Sequence, residues 1–415
     1  MVNLLFLAFI VLVLYLMKDR KETILWIGLL LLLFGLFAIY SVSIHESFTL
    51  TLKLIAGGHR KWDPSNYFYF LRQLRNVVIA LVMWLLAYKL PLKLLQNQKY
   101  ILFIAVFFFV LQLLVLVPGI GIALNGARWW IKIGNVTTIQ PSEFFKLAYV
   151  IFLSSWLIRK KKMIAKPQFI SAFVVLNALL LFVFLLIPDL WTVVVLSLTG
   201  LIMFWYAWAK IKHVVLLLLG GLVAGLLLGA LAGMVSTKFE YIQRRFTYFL
   251  SSDVDPQSTD IGRQNQQALI AIWGWWFFGK WYGKWLQKFG YIPESQSDFI
   301  FSAFSEEIWF MGNIVLLALY FYLCRYVLMH LYRVKDPYLK QIAIWIISLI
   351  IVQMFVNIGV NLKIMPNTWL TLPFVSFGGT ALMVNMIEIV LLYRIIKFTD
   401  WQRQKRIKKL KNHRF

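Results

Sequence analysis

Long apolar runs separated by short polar segments dominate the chain, and most runs match the length of a membrane-spanning helix. A helix needs roughly 20 predominantly apolar residues to cross the hydrocarbon core of a bilayer. The pattern therefore predicts an all-α integral membrane protein, a ten-helix transmembrane bundle. The predicted spans are Ile24–Ile44, Asn76–Leu94, Tyr100–Ile122, Glu143–Ile158, Phe169–Ile187, Leu190–Ala209, His213–Met234, Phe299–Leu331, Ile342–Leu362 and Phe374–Ile396.

The predicted bundle divides the chain into a core, residues 23–398, and two flanking parts. An N-terminal apolar segment with a basic linker covers residues 1–22, and a basic cytoplasmic tail covers residues 399–415. The apolar stretch Val2–Met17 is an extra helix, an uncleaved signal anchor or a mis-assigned start, since no small-residue cleavage site follows it. Between spans seven and eight lies a large outward loop, residues 236–298, and long loops of this kind usually carry function.

Composition excludes a water-soluble fold, and the predicted membrane topology explains most of the net positive charge. Of 415 residues, 61% are hydrophobic and 14% charged, too few polar groups to cover a soluble protein of this size. The net charge of +25 mainly reflects Lys and Arg in short cytoplasmic loops and in the tail, which also attracts anionic lipid. Nucleic acid is not implied. The single cysteine, Cys324, excludes an intramolecular disulfide.

The large outward loop carries cations on the side of the membrane where short loops avoid them. Long loops are largely exempt from the topology rule, so these cations form either a solvated surface or an anion-binding site. The seven cations are Lys238, Arg244, Arg245, Arg263, Lys280, Lys284 and Lys288.

Three acids stand at the mouth of the eighth span in a chain that otherwise avoids acid. Asp298 precedes the apolar run, and Glu306 and Glu307 follow within it, on different sides of the helix. An ionisable group in hydrocarbon costs on the order of 2.5–3.5 kcal/mol, which makes each such group a functional candidate. The stretch from Tyr291 to Glu307 is therefore the best candidate for chemistry.

Other ionisable residues inside or between spans have structural explanations as well as functional ones. Glu143 and Lys146 are three residues apart, which places them on one helix face as an ion pair or as substrate contacts. Asp189 is predicted to cap the helix that follows it. Glu388, well inside the last span, needs a partner such as Arg394 or a polar neighbour.

Five motifs, in order along nearly the whole core, resemble the SEDS family of peptidoglycan polymerases, the glycosyltransferases FtsW and RodA. The resemblance to the FtsW branch is slightly closer, because Leu116-Val117-Pro118-Gly119-Ile120-Gly121 precedes the first motif. The motifs are Asn125-Gly126-Ala127-Arg128 with Trp130-Ile131, Gln140-Pro141-Ser142-Glu143-Phe144 with Lys146, Pro188-Asp189-Leu190 with Thr192, Tyr291–Phe301, and Pro366 with Leu372-Pro373-Phe374-Val375-Ser376-Phe377-Gly378-Gly379-Thr380.

The resemblance implies an activity, partners and site residues. The activity is polymerisation of lipid II, a disaccharide-pentapeptide on undecaprenyl pyrophosphate, during septal peptidoglycan synthesis in the bacterial cytoplasmic membrane. The implied partners are a class B penicillin-binding protein transpeptidase and divisome proteins. Asp298 maps to the family's proposed catalytic acid. The substrate-binding candidates are Arg128, Gln140, Glu143, Lys146, Arg244, Arg263, Lys280, Lys284 and Ser376.

Elementary chemistry agrees with this assignment. Glycosyl transfer to a hydroxyl needs a base that accepts the hydroxyl proton, and a carboxylate at the membrane edge suits that task. The leaving lipid pyrophosphate needs cations, which the outward segments supply. A divalent cation, Mg²⁺ or Mn²⁺, held by Asp298 and the diphosphate is a further way to neutralise that charge; no other cofactor is implied.

Three other functions remain open at this point. An elongation-type, RodA-like polymerase would use the same chemistry. A lipid II flippase would use Glu143, Lys146 and Glu388 as a polar path, although no inverted repeat is visible in the sequence. A non-catalytic scaffold for division would tolerate replacement of Asp298.

Eight tryptophans stand where the resembled family has glycine. An interfacial aromatic belt is one explanation, but it does not account for their selective placement. Our hypothesis is that the source organism reads UGA as glycine, because indole side chains do not fit positions that need left-handed backbone or close approach. The eight are Trp191, Trp273, Trp275, Trp276, Trp281, Trp285, Trp309 and Trp369.

We predict that the gene encodes these eight positions with UGA, which its nucleotide sequence would reveal directly. Tryptophans outside the set provide the control and are expected to be UGG. The hypothesis is wrong if Trp273, Trp275, Trp276, Trp281 and Trp309 are all encoded by UGG.

Overall fold

The computed structural model describes residues 22–58, 63–124, 127–134, 137–164, 166–187, 189–207, 211–221, 260–273, 292 and 295–412. Helices dominate these residues. In chain order the helices are α1 (Thr23–Val42), α2 (Ile44–Ala56), α3 (Phe68–Lys89), α4 (Leu92–Gln96), α5 (Gln98–Leu114), α6 (Pro141–Arg159), α7 (Pro167–Leu186), α8 (Leu190–Tyr206), α9 (Ile211–Gly221), α10 (Asp260–Trp273), α11 (Ile300–Leu331), α12 (Pro337–Asn361) and α13 (Gly379–Asn412).

The helical membrane fold predicted from the sequence is confirmed. Each of the ten predicted spans overlaps at least one helix among the described residues. Within the described part of the chain, six helices contain stretches long and apolar enough to cross a membrane, namely α1, α3, α7, α11, α12 and α13. The helices α5, α8 and α9 are shorter and apolar. The N-terminal segment Val2–Met17 lies outside the described residues.

Several predicted boundaries are wrong. The third span ends at Leu114 instead of Ile122, and Gly121 and Ile122 belong to a strand. Two other boundaries are wrong for identifiable reasons. The second span ends at Lys89 instead of Leu94, because Pro91 cannot continue a helix. The last span begins at Gly379 instead of Phe374. Phe374 has a left-handed φ of 66°, which is incompatible with helix, and the residues around it form a compact loop.

The outward segments contain structure that the hydropathy pattern did not predict. α2 occupies part of the loop after the first span. A three-stranded antiparallel sheet of β1 (Gly121–Leu124), β2 (Ala127–Ile133) and β3 (Thr137–Ile139) follows α5. α10 lies within the large loop between spans seven and eight.

The four helices α1, α11, α12 and α13 share a buried apolar core, and loops at one end of this core pack against it. Phe34 of α1 and Phe304 of α11 meet edge to face with ring centroids 5.3 Å apart. Gly35 of α1 lets the backbone of Phe374 approach so closely that a Cβ there would lie 2.6 Å from the Phe374 carbonyl oxygen. Any side chain at position 35 would therefore displace the loop before α13.

The opposite end of the bundle carries the basic tail and is the predicted cytoplasmic end. Arg394 of α13 donates to the Ala87 carbonyl at the end of α3, at 2.8 Å. Gln96 donates to the carboxylate of Asp336, the N-cap of α12, at 2.7 Å. A cavity of about 220 Å³ beside this contact is also lined by Arg159. Since α11 and α12 run antiparallel, the start of α11 lies at the other end, which is the predicted outer end.

Candidate catalytic acid and its surroundings

Asp298 lies directly before α11, at the predicted outer end of the bundle. At 32 residues, α11 is longer than the roughly 20 residues that a span needs. The Asp298 side chain is only 6% exposed, so its surroundings, more than bulk water, determine its chemistry.

We call residues 295–299 the Asp298 segment and residues 372–378 the Ser376 loop. The hydroxyl of Ser376 donates to the Ser297 carbonyl at 2.6 Å and accepts from the Leu372 backbone N–H at 2.8 Å. The backbone N–H of Phe377 donates to the Gln296 carbonyl at 2.8 Å. These hydrogen bonds join the two segments on both sides of residue 297.

The Ser376 loop holds Phe374 in a backbone conformation that a bulky residue seldom adopts. Its φ of 66° is in the left-handed region, and its side chain is 2% exposed. The hydroxyl of Tyr320 in α11 donates a hydrogen bond to the carbonyl of Pro373, the residue before Phe374. Because such a conformation persists only where its surroundings enforce it, the loop is a rigid support for the acid and not a loose connection.

Two further elements reach the Asp298 segment. Glu46 of α2 accepts hydrogen bonds from the Ser295 backbone N–H at 3.3 Å and from the Ser295 hydroxyl at 3.4 Å. On α12, the side chains of Asn357 and Asn361 both donate to the carbonyl of Asp298, at 3.0 and 2.9 Å. Three parts of the chain that are distant from it in sequence thus fix the backbone that carries the acid.

The structure brings some predicted substrate-binding residues to this end of the fold. Gln140, at the start of α6, is half-buried, and its backbone N–H donates to the Thr380 hydroxyl of α13 at 3.2 Å. Arg128 lies exposed on β2, and Arg263 lies exposed on α10. The remaining cations, Arg244, Lys280 and Lys284, lie outside the described residues.

α10 packs beside the Asp298 segment, which fixes where Arg263 stands. Ala268 and Ala271 of α10 share a buried cluster with Phe299. The Asn367 side chain, which precedes the Ser376 loop, donates to the Gln264 side chain of α10 at 3.2 Å. Arg263 therefore belongs to a helix that is attached to the same loop system as Asp298.

The ion pair predicted from the spacing of Glu143 and Lys146 is confirmed. The two side chains are buried in α6, and Lys146 Nζ lies 2.8 Å from Glu143 Oε2. Glu388 of α13, 1% exposed, lies close enough for the charges of Lys146 and Glu143 to act on it. Arg394, proposed as its partner, instead donates to backbone carbonyls of α3.

The capping role predicted for Asp189 is also confirmed. Asp189 is the N-cap of α8, and its carboxylate accepts from the Thr192 backbone N–H at 3.2 Å and from the Thr192 hydroxyl at 2.8 Å. Burial raises the pKa of the Asp189 carboxyl above its ordinary value, and the hydrogen bonds from Thr192 lower it in part. The charges of Glu143 and Lys146 act on Asp189 as they do on Glu388, so these four residues form a second polar centre.

Sequence reasoning missed Glu46, Asn357 and Asn361. Glu46 lies in a segment without a hydropathy signal, so only its position opposite Ser295 reveals its role. The two asparagines did leave a signal: they are polar residues four apart near the end of an apolar span, and this spacing places both on one helix face.

One family of known proteins matches the amino-acid sequence along nearly its whole length. The sequence model described as cell cycle protein, FTSW_RODA_SPOVE, matches residues 21–400. The chain belongs to this family. The resemblance recognised from the five motifs is therefore confirmed.

Named relatives of this FTSW_RODA_SPOVE protein come from several bacteria. Stage V sporulation protein E of Bacillus subtilis is 35% identical over 380 residues, covering 90% of this chain and 96% of that protein. A probable peptidoglycan glycosyltransferase FtsW of Nitrosomonas europaea is 32% identical over 389 residues, covering 90% and 91%.

Solved structures share the fold. A chain from a study titled "Structural coordination of polymerization and crosslinking by a peptidoglycan synthase complex" superposes with a TM-score of 0.71 at 21% identity, covering 92% of this chain and 99% of that one. Rod shape determining protein RodA of Thermus thermophilus superposes with a TM-score of 0.59 at 21% identity, covering 91% and 97%. At such identities the likeness establishes the fold alone.

We predict that Ser376→Ala loosens the Asp298 segment. The change leaves the buried Leu372 N–H and the Ser297 carbonyl without their shared partner, which costs about 1–3 kcal/mol. Thermal unfolding in detergent should show a lower midpoint. Ser348→Ala is the matched control and should be close to neutral, because among the described residues that hydroxyl donates only to the Ile344 carbonyl of its own helix. Equal midpoints for both variants would contradict the role given to Ser376.

Proposed function

We propose that this family member is a membrane peptidoglycan glycosyltransferase that polymerises lipid II, with Asp298 as its catalytic acid-base residue. The observation that carries the proposal is a buried carboxylate at the outer end of the bundle, on a backbone segment held by several distant elements. Relatives named probable peptidoglycan glycosyltransferase FtsW support the reaction class.

Asp298 acts as the general base in this proposal. The oxygen of an acceptor sugar hydroxyl attacks the anomeric carbon of the donor sugar, and the Asp298 carboxylate accepts the hydroxyl proton. The bond between the anomeric carbon and the diphosphate oxygen breaks, and the lipid diphosphate leaves with the electron pair. Direct attack inverts the anomeric carbon. A single acid is sufficient, because the diphosphate leaves as an anion and needs no proton.

Cations of the outward segments stabilise the departing diphosphate. Arg128 on β2 and Arg263 on α10 are exposed, and α10 is attached to the Ser376 loop. A guanidinium binds phosphate oxygens through two parallel hydrogen bonds, which suits this role. We assign Arg244, Lys280 and Lys284 the same role because they belong to the same outward loop.

A divalent cation fits this site only together with the substrate. Among the described residues, no cluster of three or more His, Cys, Asp or Glu side chains could hold an ion. Mg²⁺ is commonly held by one or two carboxylates and substrate phosphates, which is what Asp298 and a diphosphate offer. When bound there, Mg²⁺ or Mn²⁺ would supply positive charge next to the leaving group.

We expect Asp298→Asn to abolish polymer formation from purified lipid II. The amide has nearly the same shape, so the backbone contacts at residue 298 stay intact, but it cannot accept the proton. Loss of a general base lowers the rate by about a hundredfold or more. Asp336→Asn, which changes an acid at the opposite end of the bundle, is the control and should keep the wild-type rate.

The same pair of proteins separates polymerisation from lipid transport. In vesicles carrying labelled lipid II, a flippase would keep moving the lipid when Asp298 is changed, because transport does not require a proton acceptor for a hydroxyl. Polymer at the wild-type rate from Asp298→Asn would reject the catalytic assignment. Retained flipping without polymer formation by the wild type would favour the transporter.

We further propose that the enzyme works at the division septum with a class B penicillin-binding protein transpeptidase and divisome proteins. Relatives named FtsW and the motif before the outward sheet favour division over an elongation-type role. A fluorescent fusion of the full chain should concentrate at midcell and co-purify a transpeptidase. A uniform distribution along the lateral wall would favour elongation instead.

A further inference from the structure

Asn361 has hydrogen-bonding partners on both sides of the start of α11. Its Oδ1 accepts from the Ser302 backbone N–H at 3.0 Å and from the Ser302 hydroxyl at 2.5 Å. Its Nδ2 donates to the Asp298 carbonyl at 2.9 Å. One planar amide thus spans the junction between the Asp298 segment and the helix.

The first of these contacts replaces a missing helix cap. The N-cap of α11 is Phe299, whose side chain offers no acceptor. The first N–H groups of a helix have no partner within the helix, and a side-chain oxygen at the N-cap usually satisfies the N–H of the third helical residue, here Ser302. Asn361 supplies that oxygen from α12, so this donor is satisfied without using the Asp298 carboxylate.

The second contact is shared with Asn357, one helical turn earlier. Asn357 Nδ2 donates to the Asp298 carbonyl at 3.0 Å and to the Leu370 carbonyl at 2.7 Å. The Asp298 carbonyl therefore accepts two amide hydrogen bonds, one for each lone pair. This fixes the peptide plane between residues 298 and 299 and hence the direction in which the Asp298 side chain leaves the backbone.

Burial makes the loss of any of these hydrogen bonds costly. Asn357, Asn361 and Ser302 are each at most 1% exposed. In such surroundings a polar group that loses its partner is not compensated by water. Only an amide side chain combines a carbonyl acceptor and an N–H donor in one plane, which the Ser302 N–H and the Asp298 carbonyl both require.

We infer that Asn361, assisted by Asn357, is a positioning residue for glycosyl transfer, because it sets the orientation of Asp298 from the neighbouring helix. The inference rests on the proposed catalytic role of Asp298. Asn361 itself acts through the Asp298 backbone and does not touch the reacting atoms.

The test uses the full-length chain in detergent with purified lipid II, and rates are normalised to folded protein from gel filtration. Asn361→Ala should lower kcat by about tenfold to a hundredfold, as expected for a misplaced catalytic group, and change KM by less than about twofold. Asn357→Ala should act in the same direction more weakly. The loss in the double variant should be smaller than the product of the two single losses, because both side chains hold one carbonyl.

Gln341→Ala is the matched control. This buried amide of α12 donates to the Met203 carbonyl at 3.4 Å and lies about 30 Å along the helix from Asn361. Its removal should leave kcat unchanged. A loss of kcat equal to that of Asn361→Ala would mean that any buried amide in α12 matters, and the inference would be wrong.

Asn361→Asp distinguishes positioning from simple capping. The ionised carboxylate keeps an acceptor for the Ser302 N–H but cannot donate to the Asp298 carbonyl. A kcat that stays low despite a recovered unfolding midpoint supports positioning. A variant that recovers both stability and kcat shows that the side chain only caps α11, which overturns the inference.

Failure of the inference and failure of the proposed function give different results. If Asp298→Asn makes no polymer while Asn361→Ala and Asn357→Ala keep the wild-type kcat, the catalytic assignment stands and the positioning role is rejected. If Asp298→Asn keeps the wild-type rate, the catalytic assignment fails and the positioning role fails with it.

Discussion

The hydrogen bonds between the Asp298 segment and the Ser376 loop are the contact on which the outer end of this protein depends. Ser376 and Phe377 bond the backbone on either side of residue 297, so two loops more than seventy residues apart behave as one unit. The left-handed Phe374, the close approach of Gly35 and the asparagines of α12 all converge on this unit. A carboxylate placed on it has a fixed position without belonging to a regular element.

The membrane explains why so many polar contacts are internal. Where water is scarce, each backbone or side-chain polar group needs a partner within the protein. Glu143 pairs with Lys146, and Asp189 accepts from the Thr192 N–H in the first turn of α8. Near the outer boundary the same requirement makes Asn361 serve a helix to which it does not belong.

Family membership and local geometry answer different questions. Membership rests on a match to residues 21–400, and the superposed structures share the fold at 21% identity. Neither identifies the residue that accepts a proton. We propose Asp298 for that role because its motif resembles the one that carries the family's proposed catalytic acid. Its burial and support, together with the chemistry that a lipid diphosphate donor demands, favour the proposal.

The sequence by itself determined the membrane fold, the family and the candidate acid, because span length, motif order and a rare acid are local properties. The Glu143 and Lys146 pair and the Asp189 cap were also predictable, since their partners lie within one helical turn. Only the tertiary structure placed Glu46, Ser376, Asn357 and Asn361 around Asp298, through contacts that span 59 to 249 residues. Such contacts depend on how the helices pack, and the hydropathy pattern does not indicate which loop contacts which helix end.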